Sequence, residues 1–239
     1  MTTSLVVPCY QEADALEAFA VLLPDLPVDE IVFVDDGSTD DTPARLQDLA
    51  AADPRVRVET HAVNRGVGAA MRTGLSAATG DVIVVYDADR TYPPEDLQRL
   101  VAAVDAGADV ATASPFMPGG EAPDVPWPRL VLSRGAAGAY RYVVGPRARD
   151  LATFTCAFRA YRRAWVRRLT FQSDGFGAAG EILGVALLGG AHVVEVPSRL
   201  RVRSEGDSKM RVLPALREHL GVLLRLGRRR ARTPRVTTG

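Results

Sequence analysis

Asp81-Val82-Ile83-Val84-Val85-Tyr86-Asp87-Ala88-Asp89 is the stretch on which the reading of this chain turns. A short β-prone run closes on two carboxylates two residues apart. On an extended chain such residues project to the same side. Two carboxylates placed that way can hold a hard divalent ion, Mg²⁺ or Mn²⁺, whose shell is completed by substrate phosphates. They can equally be an acidic strand end leading into the turn at Tyr92-Pro93-Pro94. The neighbouring stretches have to decide between the two.

Further β-prone runs cover Ser4 to Val7, Glu30 to Val34, Val56 to Glu59 and Asp109 to Ala113. Helical periodicity lies between them, at Ala13 to Leu23, Asp41 to Ala51, Gly68 to Ala78 and Pro94 to Ala106. Strand and helix in alternation predict an α/β fold, a mostly parallel central sheet with helices on both faces. Ligands of such sheets bind beyond the carboxyl ends of the strands. Those ends are where polar residues collect: Pro8-Cys9-Tyr10-Gln11-Glu12, Asp35-Asp36-Gly37-Ser38 and Asp87-Ala88-Asp89. After Ala113 a loop rich in Pro and Gly runs from Pro115 to Pro128, followed by a helical pattern from Leu130 to Val144, another from Phe176 to Leu188 and a strand from His192 to Pro197. This half is expected to cover the crevice. The chain divides on composition into a single domain over 1–210 and a basic helix and tail over 211–239.

The bulk properties exclude several classes. With 239 residues, 47% hydrophobic and 24% charged, the chain can bury a sizeable core and is not disordered. Its richest apolar stretch, Ile182 to Val196, is broken by Gly189, Gly190, His192 and Glu195, so no membrane span is expected. The first residues have no basic region before Pro8, which predicts a cytoplasmic site of action without a secretory signal. Two cysteines and three histidines form no disulfide framework and no zinc spacing, so any metal should be held by oxygen. No nucleic-acid partner is expected. Net charge is zero, yet from Arg211 onward there are eight arginines against one acid, Glu218.

Several residues admit two readings each. In Asp35-Asp36-Gly37-Ser38-Thr39-Asp40 a polar side chain can cap the following helix, or a carboxylate can accept hydrogen bonds from a base or ribose, and the two roles can coexist. Asn64-Arg65-Gly66-Val67-Gly68 enters a helix where backbone N–H groups can meet an anion, though tight-turn geometry explains the glycines as well. The glycine fingerprint of a dinucleotide dehydrogenase is missing after the first strand. The basic run holding Arg201, Arg203 and Lys209 is either a solvated loop or one that closes over a diphosphate leaving group. Glu181, an isolated carboxylate in an apolar helix, needs a partner or a task.

Taken in order, these motifs resemble the family 2 glycosyltransferases of the GT-A fold. They resemble the polyprenol-phosphate (dolichyl-phosphate) mannose synthases more closely, through Pro118-Gly119-Gly120, Leu132-Ser133-Arg134-Gly135-Ala136, Phe158-Arg159-Ala160-Tyr161-Arg162-Arg163, Glu195-Val196-Pro197 and Arg203 through Lys209. The likeness spans about residues 4 to 215. It implies a nucleotide-sugar donor site in which Pro8, Tyr10, Glu12, Val34 and Asp35 or Asp36 surround the nucleoside, while Asp87, Ala88 and Asp89 meet the diphosphate and its metal. Arg203 and Lys209 grip phosphates, Arg134 is a candidate for the acceptor phosphate, and Asp89, Glu181 and Arg203 form the catalytic set. The chain departs from the synthases at Thr91, where they offer Gln, at Pro115 before Phe116, and over Ala152 to Ala157.

The reaction implied is inverting transfer of a hexose from GDP-mannose or a UDP-sugar to polyprenyl phosphate. An alternative is a soluble family 2 enzyme acting on a hydroxyl acceptor, which would need Glu181 or Asp174 as base. A nucleotide-sugar-binding module without turnover and a pyrophosphate-releasing nucleotidyltransferase are the rivals from other classes. Leu216, Leu220, Leu223 and Leu224 fall on one helical stripe among arginines, which suits peripheral contact with the cytoplasmic face of a membrane, or packing on the chain's own domain.

Overall fold

The structure, a computed structural model, describes residues 1–201 and 212–232. Four strands, β1 (Thr3–Cys9), β2 (Glu30–Asp35), β3 (Val56–Thr60) and β4 (Val82–Val85), pair in parallel in the order β3-β2-β1-β4. Their connections are α1 (Ala13–Leu22), α2 (Thr42–Ala52) and α3 (Val67–Ala77). The sheet then continues through β6 (Arg159–Arg162), β5 (Val110–Ser114) and β7 (Val193–Pro197), and β6 alone among the described strands runs antiparallel. The remaining helices are α4 (Asp96–Asp105), α5 (Trp127–Val144), the short α6 (Arg163–Val166), α7 (Ala178–Leu188) and α8 (Val212–Arg232).

Because both faces of the central strands are covered, their sequences are near-continuously apolar, and alternate residues serve opposite layers. Leu5, Val7, Ile31, Phe33, Val82 and Val84 pack with Leu16, Phe19, Leu46, Leu97 and Leu100 of α1, α2 and α4. Val6, Val32, Val34, Ile83 and Val85 pack with Met71, Leu75, Tyr140, Ile182 and Leu183 of α3, α5 and α7. The mostly parallel α/β architecture expected from the sequence is therefore the one observed.

Two findings go beyond the sequence reading. Strand β6, with the sequence Arg-Ala-Tyr-Arg, carries neither an apolar run nor a recognisable alternation, because Arg159 is itself a core residue. Its guanidinium donates from Nε to Thr112 Oγ1 at 2.9 Å, from Nη2 to Phe154 O at 2.6 Å, and from Nη1 to the carbonyl of Ala179. Three neutral oxygens thus stand in for water around a buried cation, tying β5, the approach to β6 and the start of α7 together. Secondly, of the two readings of the basic segment, contact with a membrane or packing on its own domain, the second describes the inner face of its helix: Val222 and Leu226 of α8 lie in the same apolar cluster as α5 and α7.

Replacing Arg159 by Lys keeps the charge but not the planar fork that reaches three acceptors. We expect Arg159→Lys to cost about 2–4 kcal/mol, since hydrogen bonds from a charged donor are lost inside the core. Urea denaturation should show a lowered midpoint with an unchanged slope.

Candidate active site

The strand order reverses between β1 and β4, so a crevice opens at their carboxyl ends. Three connecting loops meet there, and each is held by a named side chain.

From β1, Gln11 turns in the left-handed region at φ 55°. Its N–H donates to Ser38 Oγ at 3.0 Å, its Oε1 accepts from the N–H groups of Thr39 at 3.2 Å and Asp40 at 3.0 Å, and its Nε2 donates to Thr39 Oγ1 at 2.9 Å. The Glu12 N–H donates to Thr42 Oγ1 at 2.8 Å. The loop after β1 is thereby strapped to the loop after β2, leaving Pro8, Tyr10 and Glu12 half-buried at its rim. Cys9, between them, is inert: burial, then the charges of Glu12 and Asp35, push its thiol well up.

From β2, Asp35 and Asp36 are both nearly inaccessible but differ in partners. Asp35 Oδ1 accepts the Ser38 N–H at 3.0 Å. Asp36 has both oxygens engaged, Oδ1 with His61 Nδ1 at 2.6 Å and the Arg65 N–H at 3.0 Å, Oδ2 with the Gly66 N–H at 2.7 Å. His61 Nε2 meets Thr73 Oγ1 at 2.9 Å, and the His61 N–H donates to Asp35 O at 2.9 Å. Neither His61 nor Gln11 was singled out from the sequence as a site residue; a lone histidine after a strand carries no spacing signal. The glycines that follow answer to packing. Gly66 sits at φ 97°, where a Cβ would lie 2.4 Å from the Asp174 carbonyl, and the Gly68 N–H donates to that same carbonyl at 2.6 Å. The start of α3 is occupied by protein, and the tight-turn reading holds over the anion one.

From β4, the chain leaves the strand at Val85, earlier than expected. Asp87 to Arg90 form a turn in which the Arg90 N–H donates to Asp87 O at 3.2 Å and Arg90 adopts φ 52°. The argument that Asp87 and Asp89 share a side because the chain is extended therefore lapses; the turn into Tyr92-Pro93-Pro94 has already begun. Both carboxylates are half-buried at the crevice. Thr91, where the resembling synthases carry Gln, gives its N–H to Asp89 Oδ1 at 3.2 Å. Its carbonyl accepts the Arg201 N–H at 2.8 Å, so the chain beyond β7 passes beside Asp89. Arg203 and Lys209 lie outside the described residues.

Three further expectations change. The Val34 side chain is fully buried, at an even position of β2 that faces α3, which leaves only its backbone for a ligand. The Ala88 methyl packs in the first-layer core, which leaves only its backbone for a ligand. Glu181, expected as a catalytic acid or base, is buried and receives Arg225 Nε at 2.9 Å, Arg225 Nη2 at 3.0 Å and the Ser173 N–H at 2.8 Å. Burial works to raise its pKa, but the hydrogen bonds from Arg225 and Ser173 outweigh it and hold the carboxyl below its usual range. Its partner is Arg225, and its task is to fasten α7 to α8. Asp174, the other base considered, is bonded to Arg72 at 2.9 Å. Arg134 is exposed on α5, its guanidinium 5.6 Å from the ring of Phe116 just beyond β5. A cleft of about 290 Å³ near the starts of α1 and α2 is lined by Glu12, Asp14, Asp40 and Asp41 and would repel a diphosphate.

Comparison with known proteins identifies the family. Residues 4–170 match the model of glycosyl transferase family 2. The chain belongs to that family. It is 38% identical over 216 residues to the polyprenol monophosphomannose synthase of Mycolicibacterium smegmatis, covering 87% of this chain and 80% of that protein. It is 33% identical to the dolichol-phosphate mannosyltransferase of Pyrococcus furiosus, covering 88% of this chain but only 60% of that protein. Its fold is that of glucosyl-3-phosphoglycerate synthase from Mycobacterium tuberculosis, crystallised with Mn²⁺, UDP and phosphoglyceric acid, with a TM-score of 0.71 over 95% of this chain and 78% of that one at 24% identity. This glycosyltransferase thus carries its candidate donor residues on the three loops just described.

The Glu181 pair makes stability depend on pH in a defined direction. Its carboxyl is lowered from an ordinary value of 4.5, so the stabilisation is complete above that pH and is lost as pH falls through the folded-state value. Wild type should exceed Glu181→Gln by about 1–3 kcal/mol at pH 7, the half-exposed Arg225 limiting the gain. Urea midpoints taken at descending pH should converge below pH 4.5; parallel curves would remove Arg225 as the cause.

Proposed function

We propose that this glycosyltransferase moves a hexose, mannose from GDP-mannose before any UDP-sugar, with inversion onto a polyprenyl phosphate. The observation that carries the acceptor class is the commitment of Glu181 to Arg225. An alcohol acceptor needs a base, and the two carboxylates considered for that task are both paired with arginines. A phosphate acceptor is already ionised near neutral pH and needs none. The activities for which the mannose synthase relatives are named point the same way.

In this reading Pro8, Tyr10, Glu12 and Asp35 flank the nucleoside. Asp36 serves as a positioning group, fixing the loop at Arg65 and Gly66 through its own saturated carboxylate. Asp87 and Asp89 would hold Mg²⁺ or Mn²⁺. A hard cation suits them, because two half-buried carboxylates supply oxygen donors for part of a shell and leave the remainder to phosphate oxygens. The ion supplies charge neutralisation to the departing diphosphate. Arg203 and Lys209, assigned on the resemblance, add to that neutralisation, and Arg134 meets the acceptor phosphate.

An acceptor oxygen attacks the anomeric carbon as its bond to the diphosphate oxygen breaks, and attack from the opposite face inverts the centre. The nucleoside diphosphate leaves with the bonding electrons, and no proton is transferred. Alignment of two anionic groups, held by loops that are themselves strapped together, is the main contribution of the protein. No described helix is long and apolar enough to cross a membrane. We read the arginines of α8 as bringing the chain to the cytoplasmic face of the bilayer that holds such an acceptor.

Asp89→Ala should lower turnover with nucleotide sugar and polyprenyl phosphate by about 10²–10³, the scale of losing one charge-stabilising element. Glu181→Gln should change it by less than about tenfold in folded protein. Product analysis should find nucleoside diphosphate. Released pyrophosphate, transfer to alcohols but not phosphates, or equal inactivity of the two variants would refute the scheme.

A further inference from the structure

His61, the first residue after β3, is buried and bonded on three sides. Its main-chain N–H donates to Asp35 O at 2.9 Å, and its Nδ1 lies 2.6 Å from Asp36 Oδ1. One side chain and its own backbone thus hold two consecutive residues of the loop after β2. Both Asp36 oxygens already accept backbone N–H groups, those of Arg65 and Gly66, so the ring is the donor and the proton sits on Nδ1. On the other side Nε2 meets Thr73 Oγ1 of α3 at 2.9 Å, where a hydroxyl can give or take a hydrogen bond. That second contact fixes the orientation of the ring.

A closed loop results. Residues 61 to 66 leave β3 and enter α3 with both ends, His61 and Gly66, bonded to the same carboxylate. The middle of the loop rests on Gly37, where φ is 72° and a Cβ would lie 2.4 Å from the carbonyl carbon of Val63. Residues 62 to 65 are exposed, so hydrogen bonds to Asp36 and the backbone contact at Gly37, not burial of side chains, set the path of the loop. Beyond Gly37, the Ser38 N–H donates to Asp35 Oδ1 and Ser38 Oγ accepts the Gln11 N–H, each at 3.0 Å. The loops after β1, β2 and β3 are therefore joined by two polar keys, Gln11 between the first pair and His61 between the second.

Burying an imidazole beside a carboxylate is a poor route to stability, because desolvation offsets the attraction. Such a pair supplies geometry. Loops fixed before a ligand arrives spare it the entropy of ordering them. The loops fixed here lie at the ends of β1, β2 and β3, on the nucleoside side of the crevice. The diphosphate side, at the end of β4, has hydrogen bonds of its own, from the Arg90 N–H to Asp87 O and from the Thr91 N–H to Asp89 Oδ1. Loss of His61 should thus be felt on one side of the crevice and not on the other.

We infer that His61 is a positioning residue for nucleoside recognition, acting through Asp36 and the loop of residues 61 to 66, and that it governs affinity for the nucleotide and not the rate of sugar transfer. The inference rests on the reading of the crevice as a nucleotide-sugar site, which it deepens by naming the group that holds the nucleoside side in shape.

Calorimetric titration of the full chain with GDP and with UDP in the presence of Mg²⁺, beside steady-state kinetics, tests it. His61→Ala should raise the Kd of whichever nucleotide wild type binds about tenfold, the scale of one hydrogen bond to a charged group. The donor KM should rise with it, while kcat at saturating donor stays within about threefold. Inorganic pyrophosphate with Mg²⁺, which needs only the Asp87 and Asp89 side, should bind the variant as it binds wild type. His61→Asn puts an amide N–H where Nδ1 stands and should restore nucleotide affinity to within about threefold. His61→Gln reaches Thr73 instead of Asp36 and should not restore it. Both keep a polar group in the same space, so their comparison decides the matter even where His61→Ala does not fold. Nucleotide bound equally by wild type and His61→Ala overturns the positioning role and leaves the donor reading standing. Parallel loss of nucleotide and pyrophosphate, or rescue by Gln as complete as by Asn, overturns it as well, since the ring would then be a support for the fold alone. Wild type that binds neither nucleotide sinks the donor reading and this role with it.

Discussion

Burial of β1 and β4 on both faces is the constraint from which the rest follows. Between Leu5 and Val7, and between Val82 and Val85, every side chain is closed in by helices above or below. An ionisable group there would be desolvated without a partner, at a cost of several kcal/mol. Polar chemistry can start only where the strands leave the sheet, and in a parallel sheet β1, β2 and β4 leave it along one edge. The reversal of strand order then separates the loops after β1 and β4 enough to admit a ligand. The fold and the gathering of polar residues at one edge are consequences of the same rule.

That rule also sorts the carboxylates. A buried carboxylate must be saturated with donors, and saturation leaves it little to offer a ligand. Asp36 has three donors and Glu181 has Arg225 and backbone N–H groups. Glu195 takes the N–H groups of Ala152 and Thr153, each at 2.8 Å, and so shapes the segment leading to β6. These acids hold loops in place. Asp87 and Asp89, half-buried on a turn, are placed where a cation and phosphates can reach them. All are carboxylates; Asp36 and Glu181 are closed off from solvent, whereas Asp87 and Asp89 are half-buried.

Sequence reasoning recovered what periodicity and chain order encode. The alternation of strands and helices, the parallel sheet and the edge where polar residues gather are all properties of local pattern. It did not recover β6, because a strand whose central feature is a buried arginine has no apolar signature. It joined Asp36 to Asp35 because neighbours in a motif look alike, whereas their side chains diverge, one toward His61 and the other toward Ser38. For Val34 the motif did not say which face of the strand its side chain serves, and that side chain is buried toward α3. Glu181 was recognised as needing a partner, but the partner, Arg225, is far away in sequence, in a basic stretch whose composition left packing on the domain and contact with a membrane both open.

Helix α8 shows how one element can satisfy two demands that composition presents as alternatives. A leucine-rich, arginine-rich segment reads either as packed on its domain or as directed toward a surface. With 3.6 residues per turn a helix has room for both: Ala215, Val222 and Leu226 close the second layer, and Leu216, Leu220 and Leu224 point away from it. Arg225 divides the two, its head group drawn inward to Glu181, while Arg228 stays outside. Arg225 and Glu218 fix α8 to α7 and to the segment from Ser173 to Gly177, which in turn meets the start of α3. The ion pair that occupies Glu181 is therefore also the contact that fastens a surface helix to the helix beneath it.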